Sequence, residues 1–290
     1  MPDLCETFRR QAGSVWSRMF KAPSLGMALS EETITETALY EIALVHQNLG
    51  DIDITIATKP AEKRHGADWE WWFIKGGRSV SFRVQAKRLF LDGTYRSLFK
   101  APPNPYDQLD RLIHVANREG HIPLYCFFNF DQGVNYFDNW KGQCPHSYKG
   151  PSFWGCTLAN PQEVRSKGSN KFVDLRPIMD PWHKLVCEHF YNRNSLPEAA
   201  IDFVKEAEGR GRRTAQIPQL REIPVSVRRL LEIKATRRAV VDDDINDYVD
   251  FTYYEESDRE PPTDGEDAPE KEPQEDAPTG LIVFEDRRSD

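Results

Sequence analysis

The sequence predicts an α/β fold, a mixed central sheet flanked by helices. Three observations predict it. Segments with apolar residues at helical spacing are interspersed with runs rich in β-branched and aromatic residues. Two of those runs, Trp69–Ile74 and Ser79–Leu89, are joined across Gly76-Gly77, which signals a hairpin. The order helix, strand, strand, strand, helix, strand fills about residues 30–130, and that order packs helices against a sheet.

The elements follow in chain order. Residues 1–29 form a lead-in, with a short amphipathic helix over Phe8–Phe20 and a loop at Ala22–Gly26. A helix is expected from about Ser30 to Leu49. Leu39, Ile42, Val45 and Leu49 recur at its spacing, Thr33 and Glu36 fit a capping box, and Gly50 stops it. Asp51–Thr58 alternates and reads as a strand. Past the hairpin, Pro102, Pro103 and Pro105 mark a loop. A second helix runs from Tyr106 or Asp107 to Asn117 and buries Leu109, Leu112, Ile113 and Ala116. Ile122–Phe130 reads as a buried strand. Residues 131–195 hold short strands and loops around Trp140, Trp154 and Trp182 that extend the same core. Pro197–Glu208 opens a basic helical region, 196–254, with ten basic residues against four acidic ones between Lys205 and Arg238. Residues 255–290 form an acidic tail. Its span 255–279 has too little apolar content to fold, and its closing Leu281–Phe284 offers a docking segment for a companion protein.

The net charge of −8 belongs to that tail, whose 14 acidic and 4 basic residues leave the other 254 residues at +2. A slightly basic body is compatible with a polyanionic partner. No run approaches the roughly 18 apolar residues of a membrane span, and the opening residues lack the apolar core of a signal peptide. Five cysteines without regular spacing do not make a secreted disulfide framework. These features predict a reduced, cytoplasmic protein with no membrane contact. Cys144, His146, Cys156, His183, Cys187 and His189 miss the common zinc-finger spacings, and those among aromatics read as apolar filler.

Side chains alternate between the faces of a strand. Val80, Phe82, Val84 and Ala86 therefore share one face of the second run, and Ser81, Arg83, Gln85 and Lys87 share the other. Asp68 and Glu70 lie together on the first run, opposite Trp69, Trp71 and Phe73. Carboxylate, amide and ammonium groups thus collect on one face of a hairpin whose other face is apolar.

The pattern Gly66-Ala67-Asp68, followed one strand later by Gln85-Ala86-Lys87, resembles the PD-(D/E)XK nuclease superfamily. It is closest to the branch in which glutamine replaces the second acidic residue, as in Mrr-like restriction enzymes. The wider wording, Asp68-Trp69-Glu70-Trp71, Gln85-Ala86-Lys87-Arg88 and later Pro181-Trp182-His183, is similar to an uncharacterised bacterial family placed in that superfamily. The resemblance implies a restriction-endonuclease-like αβββαβ core with C-terminal additions, in a nuclease domain that spans 30–195 with its extension. It also implies a metal-dependent endodeoxyribonuclease acting in restriction or phage defence, with Mg²⁺ or Mn²⁺ as cofactor.

Hydrolysis of a phosphodiester calls for a hard cation that neutralises phosphate charge and activates water, and such a cation takes oxygen ligands. Asp68 is the expected main ligand, Gln85 adds its side-chain carbonyl, and Lys87 orients the attacking water or steadies the developing charge. In the superfamily an acidic residue of the first helix often completes the site. Glu36 is the candidate here, with Glu41 and Glu62 as alternatives. Gln108, Arg88, Arg212 and Arg213 are the expected contacts to DNA, and these residues do not separate DNA from RNA. Glutamine in the second acidic position leaves the metal one charge short. Two other readings therefore stand beside the enzyme: a nucleic-acid-binding member without cleavage, and a partner-binding component of a defence complex.

Overall fold

The computed structural model describes residues 3–46, 52–58, 67–99, 108–130, 151–209, 219–232 and 280–288. Its strands, in chain order, are β1 (Ile52–Thr58), β2 (Trp69–Lys75), β3 (Arg78–Arg88), β4 (Ile122–Phe128), β5 (Cys156–Ala159), β6 (Asp180–Pro181), β7 (Arg221–Glu222) and β8 (Gly280–Asp286). They form one mixed sheet in the order β1-β8-β2-β3-β4-β5-β6, with β7 paired to the start of β3. The helices are α1 (Leu4–Lys21), α2 (Glu31–His46), α3 (Gln108–Glu119), α4 (Pro161–Lys167), α5 (Phe172–Leu175), α6 (Glu188–Tyr191) and α7 (Leu196–Gly209). The α/β class with a mixed sheet and flanking helices is as the sequence predicts. Among the described residues no helix is long and apolar enough to cross a membrane.

The hairpin forms where expected. Gly76 and Gly77 take φ of 55° and 79°, left-handed values that glycine adopts without strain and that match a two-residue hairpin turn. β2 and β3 then pair antiparallel with Glu70 opposite Arg83 and Trp71 opposite Phe82. β3 runs parallel to β4, so α3 serves as the crossover between them.

The closing apolar run departs from expectation. Leu281–Phe284 is the heart of β8, which lies between β1 and β2, antiparallel to the first and parallel to the second. A strand buried on both faces and paired on both edges needs a continuous apolar run, which this one is. Phe284 stacks on Phe73 with ring centroids 5.0 Å apart. The last residues of the acidic tail are thus part of the sheet, while the expected unfolded span 255–279 lies outside the described residues.

Helix α1 covers one face of the sheet. Phe8 packs against Trp71, Trp182 and Phe284, and its carbonyl accepts a 2.6 Å hydrogen bond from Trp182 Nε1. Gly155 comes so close to α1 that an added Cβ would lie 2.0 Å from the Ala12 carbonyl oxygen, so only glycine fits. Helix α2 begins at Glu31, with Ser30 as its cap accepting from the Thr33 N–H at 3.1 Å, one turn before the expected capping box. It buries Ile34, Ala38, Leu39 and Ile42. Val45, expected inside, is partly exposed, and His46 turns in to hydrogen-bond Thr7 of α1. Helix α3 buries Leu109, Leu112, Val115 and Ala116 and places its polar ends against the polar residues of β3. Ser81, Arg83, Gln85 and Lys87 are consequently buried, although half of their face is charged.

Contacts divide the chain into two units, Met1–Ile223 with Ala277–Asp290, and Pro224–Asp276. The sheet belongs to the first. Of the second, residues 224–232 are described, and residues 225–232 are helical.

Candidate active site

Asp68 stands one residue before β2, where its N–H donates to the Val84 carbonyl at 2.8 Å. That hydrogen bond sets its side chain beside Gln85 and Ala86. Oδ2 accepts the Ala86 N–H at 2.7 Å and the Gln85 Nε2 at 2.6 Å. Gln85 Oε1 accepts from Gln108 Nε2 at 2.9 Å, and Gln108 Oε1 accepts from Lys87 Nζ at 2.8 Å. The ammonium and the carboxylate are therefore joined by a one-way chain of donors through two amides.

Burial pushes the Asp68 carboxyl up to about 6 against the opposing pull of the Ala86 N–H, Lys87 and Gln85, and the Glu31 carboxylate pushes the same way as burial. Burial lowers the Lys87 ammonium from its ordinary value, while Asp68 and Glu31 hold it up. Acid and base are both moved toward neutrality, a condition common in sites that transfer protons or hold ions.

Glu31 is the helix carboxylate at this site. It opens α2, accepts the Arg88 N–H on Oε1 at 3.2 Å, and acts electrostatically on both Asp68 and Lys87. Glu36, the residue the sequence reading favours, is exposed on α2, and Glu41 is half-buried further along the same helix. Glu62, Arg212 and Arg213 lie outside the described residues. Asp68, Gln85 and Lys87 come together, and Gln108, expected among the contacts to DNA, is hydrogen-bonded to Gln85 and Lys87 inside the cluster. Arg88 is half-buried with its guanidinium 4.1 Å above the Phe90 ring. A first-turn glutamate favours any helix N-terminus, so no sequence signal separates Glu31 from an ordinary one.

The donor set suits a hard cation. Asp68 and Glu31 offer carboxylates and Gln85 offers an amide oxygen, the ligand types Mg²⁺ takes. The desolvation that raises Asp68 is relieved by a bound cation. Gln85 now turns its Nε2 toward Asp68 and its oxygen toward Gln108, so ligation through the oxygen requires the amide to turn over.

A second polar cluster fills the other end of the same face. Arg83 Nη2 lies 2.9 Å from Glu70 Oε1 and 2.8 Å from Glu119 Oε2. His121 Nε2 is 3.4 Å from Glu70 Oε1, and its Nδ1 meets Ser81 Oγ at 2.8 Å. Glu70, Glu119 and His121 are close enough to share a metal, but the Arg83 guanidinium already stands between the two carboxylates. This cluster is an ion-pair network, buried except at Glu119. Of the sulfur and imidazole residues, Cys144 and His146 lie outside the described residues, Cys156, His183 and Cys187 are buried, and His189 is exposed.

A family model matches residues 4–287, nearly the whole chain. The chain belongs to DUF6615, a family of unknown function. No curated protein matches its sequence. The DUF6615 match takes in both the hairpin and β8, so the candidate site and the inserted strand are parts of one family unit.

Proposed function

We propose that this DUF6615 protein is a metal-dependent nuclease that hydrolyses phosphodiester bonds of DNA. One observation carries the reading: Asp68, Gln85 and Lys87 converge where β2 begins and β3 ends, joined through Gln108 and with Glu31 acting on both charges, and burial there moves the acid and the amine toward neutrality. Asp68, Glu31 and the Gln85 amide oxygen are the residues that would hold the cation. When bound, it supplies charge neutralisation and a lowered pKa for water. Lys87, fixed by Gln108, presents a proton donor to the substrate phosphate or its leaving oxygen. Gln108 also anchors Gln85, so one amide orients both partners. Such an enzyme suits the handling of foreign DNA that the resemblance implies.

Binding without cleavage is favoured by one observation, the neutral Gln85 in a carboxylate's place. Incubation of supercoiled plasmid with Mg²⁺ or Mn²⁺ decides between the readings. Nicking by the wild type that Asp68→Ala and Lys87→Ala both abolish supports the nuclease. Salt-sensitive DNA binding with no nicking supports the binding protein instead. Cleavage that survives both substitutions overturns the site.

A further inference from the structure

Asp68, Gln85, Gln108 and Lys87 form one chain of hydrogen bonds, and the chemistry of its two ends fixes its direction. A carboxylate can only accept and an ammonium can only donate. Asp68 Oδ2 therefore takes the Gln85 amino group, at 2.6 Å, and Lys87 Nζ takes the Gln108 oxygen, at 2.8 Å. The middle follows from the ends. Gln85 turns its oxygen to Gln108, and Gln108 answers with its amino group at 2.9 Å. Gln85 and Lys87 are 4% and 6% exposed and Gln108 is half-buried, so an amide turned the wrong way here finds little water to satisfy it. One amide cannot reverse alone.

We propose that Gln108 relays the occupancy of the cation site to Lys87. The inference rests on the nuclease reading for the cation itself. Ligation by the Gln85 oxygen turns that amide over, and its amino group then leaves both Asp68 Oδ2 and the Ala86 carbonyl, which it meets at 3.3 Å. Both released oxygens are of the type a hard cation takes. The Gln85 amino group now faces the amino group of Gln108, two donors with no acceptor between them, unless Gln108 turns as well. Once turned, Gln108 gives its oxygen to Gln85 and points its amino group at Lys87 Nζ, a group with donors and no acceptor. The ammonium gives up that bond and takes a phosphate oxygen instead. Without the cation, Gln108 keeps Lys87 in place; with it, the same residue hands Lys87 over to the substrate. Gln108 is thus a positioning residue that acts through Gln85 and Lys87.

The test uses the full chain with isotope-labelled glutamine and Mg²⁺ as the only added ligand, and reads the side-chain amide resonances. In the wild type the Gln85 and Gln108 signals should move together, with one midpoint in Mg²⁺. In Gln85→Glu a carboxylate holds the cation without turning and accepts from Gln108 throughout, so the Gln108 signals should stay in place while calorimetry shows Mg²⁺ bound. Gln108 signals that stay in place in the wild type, or that move as far in Gln85→Glu, overturn the relay. Coupling is reciprocal, so a second measurement starts from the other end. Lys87→Met should tighten Mg²⁺ binding, and in a Gln108→Leu background that gain should be about fivefold smaller. An equal gain in both backgrounds is plain charge repulsion and overturns the relay. Near-ultraviolet circular dichroism confirms that each variant is folded. Plasmid cleavage by the wild type is measured in parallel. Cleavage without coupled turning of the amides removes the relay and keeps the nuclease. Coupled turning without cleavage keeps the relay and removes the nuclease.

Discussion

Arg83 and Lys87 are buried on the same face of the same strand, four residues apart, and their surroundings treat them in opposite ways. Arg83 lies between two carboxylates, each within 3 Å, and His121 and Trp72 close the cluster around Glu70. Lys87 hands its hydrogen bond to an amide, and its nearest charged influences, Asp68 and Glu31, do not offset the burial that lowers its pKa. One end of β3 resolves its buried charge by geometry. The other end leaves an acid and an amine in tension. Groups held in such tension are common where a cation and an anionic substrate bind, and that makes the Lys87 end the candidate site.

The two ends should separate first by stability. Arg83→Met removes the guanidinium and strands Glu70 in the interior, with an expected loss of about 3–5 kcal/mol in urea or thermal unfolding. Lys87→Met is expected to stay within about 1 kcal/mol of the wild type. Equal losses at both positions would erase the distinction. Truncation at β8 gives a reference for a purely structural residue: Phe284→Ala, which empties a buried ring position between Phe73 and Phe8, should lose about 3–5 kcal/mol.

Activity should reverse the order. Lys87→Met is expected to lower plasmid cleavage by about a hundredfold or more, and Gln108→Ala by about tenfold through misplacement of Lys87. Glu119→Gln, at the Arg83 end, should leave the cleavage rate unchanged. A cleavage defect at Glu119 matching that at Lys87 would mean that the two clusters act as one.

The smallest expected effect is a pH dependence at the Arg83 end. Burial holds His121 below its ordinary 6.5, against the pull of Glu70 and Glu119 and with the help of Arg83 and Arg221. The unfolded chain then binds more protons than the folded one as pH falls below 6.5, so stability is lost in that direction. His121→Gln should flatten this limb of the stability curve, and a slope unchanged by the substitution would place its origin elsewhere.

Much of the hairpin was legible in the sequence. A period of two assigns Asp68, Gln85 and Lys87 to one face, and the Gly76-Gly77 turn fixes their register. The residues contributed from a distance were not. Which turn of α2 meets the end of β3 depends on how Ile34, Ala38 and Ile42 seat on the core, so Glu31 and Glu36 look alike until the helix is docked. β8 is seven residues long and pairs with strands more than 200 residues earlier, and no local pattern encodes such a partner. The sequence places Arg83 on the polar face but not its enclosure, because the groups around it, Glu119 and His121, come from the far end of α3 and the turn after it.

The tension at the Lys87 end is measured most directly by the stability of Asp68→Asn against the wild type as a function of pH. Asp68 has its carboxyl raised from 3.8 to about 6 on folding, so between those values the folded wild type holds more protons and loses stability as pH rises. Asparagine has no such proton to lose. In metal-free buffer Asp68→Asn should match the wild type at pH 4 and exceed it by about 2 kcal/mol at pH 8. A variant that is less stable than the wild type at pH 8, or whose difference does not change with pH, would contradict the account.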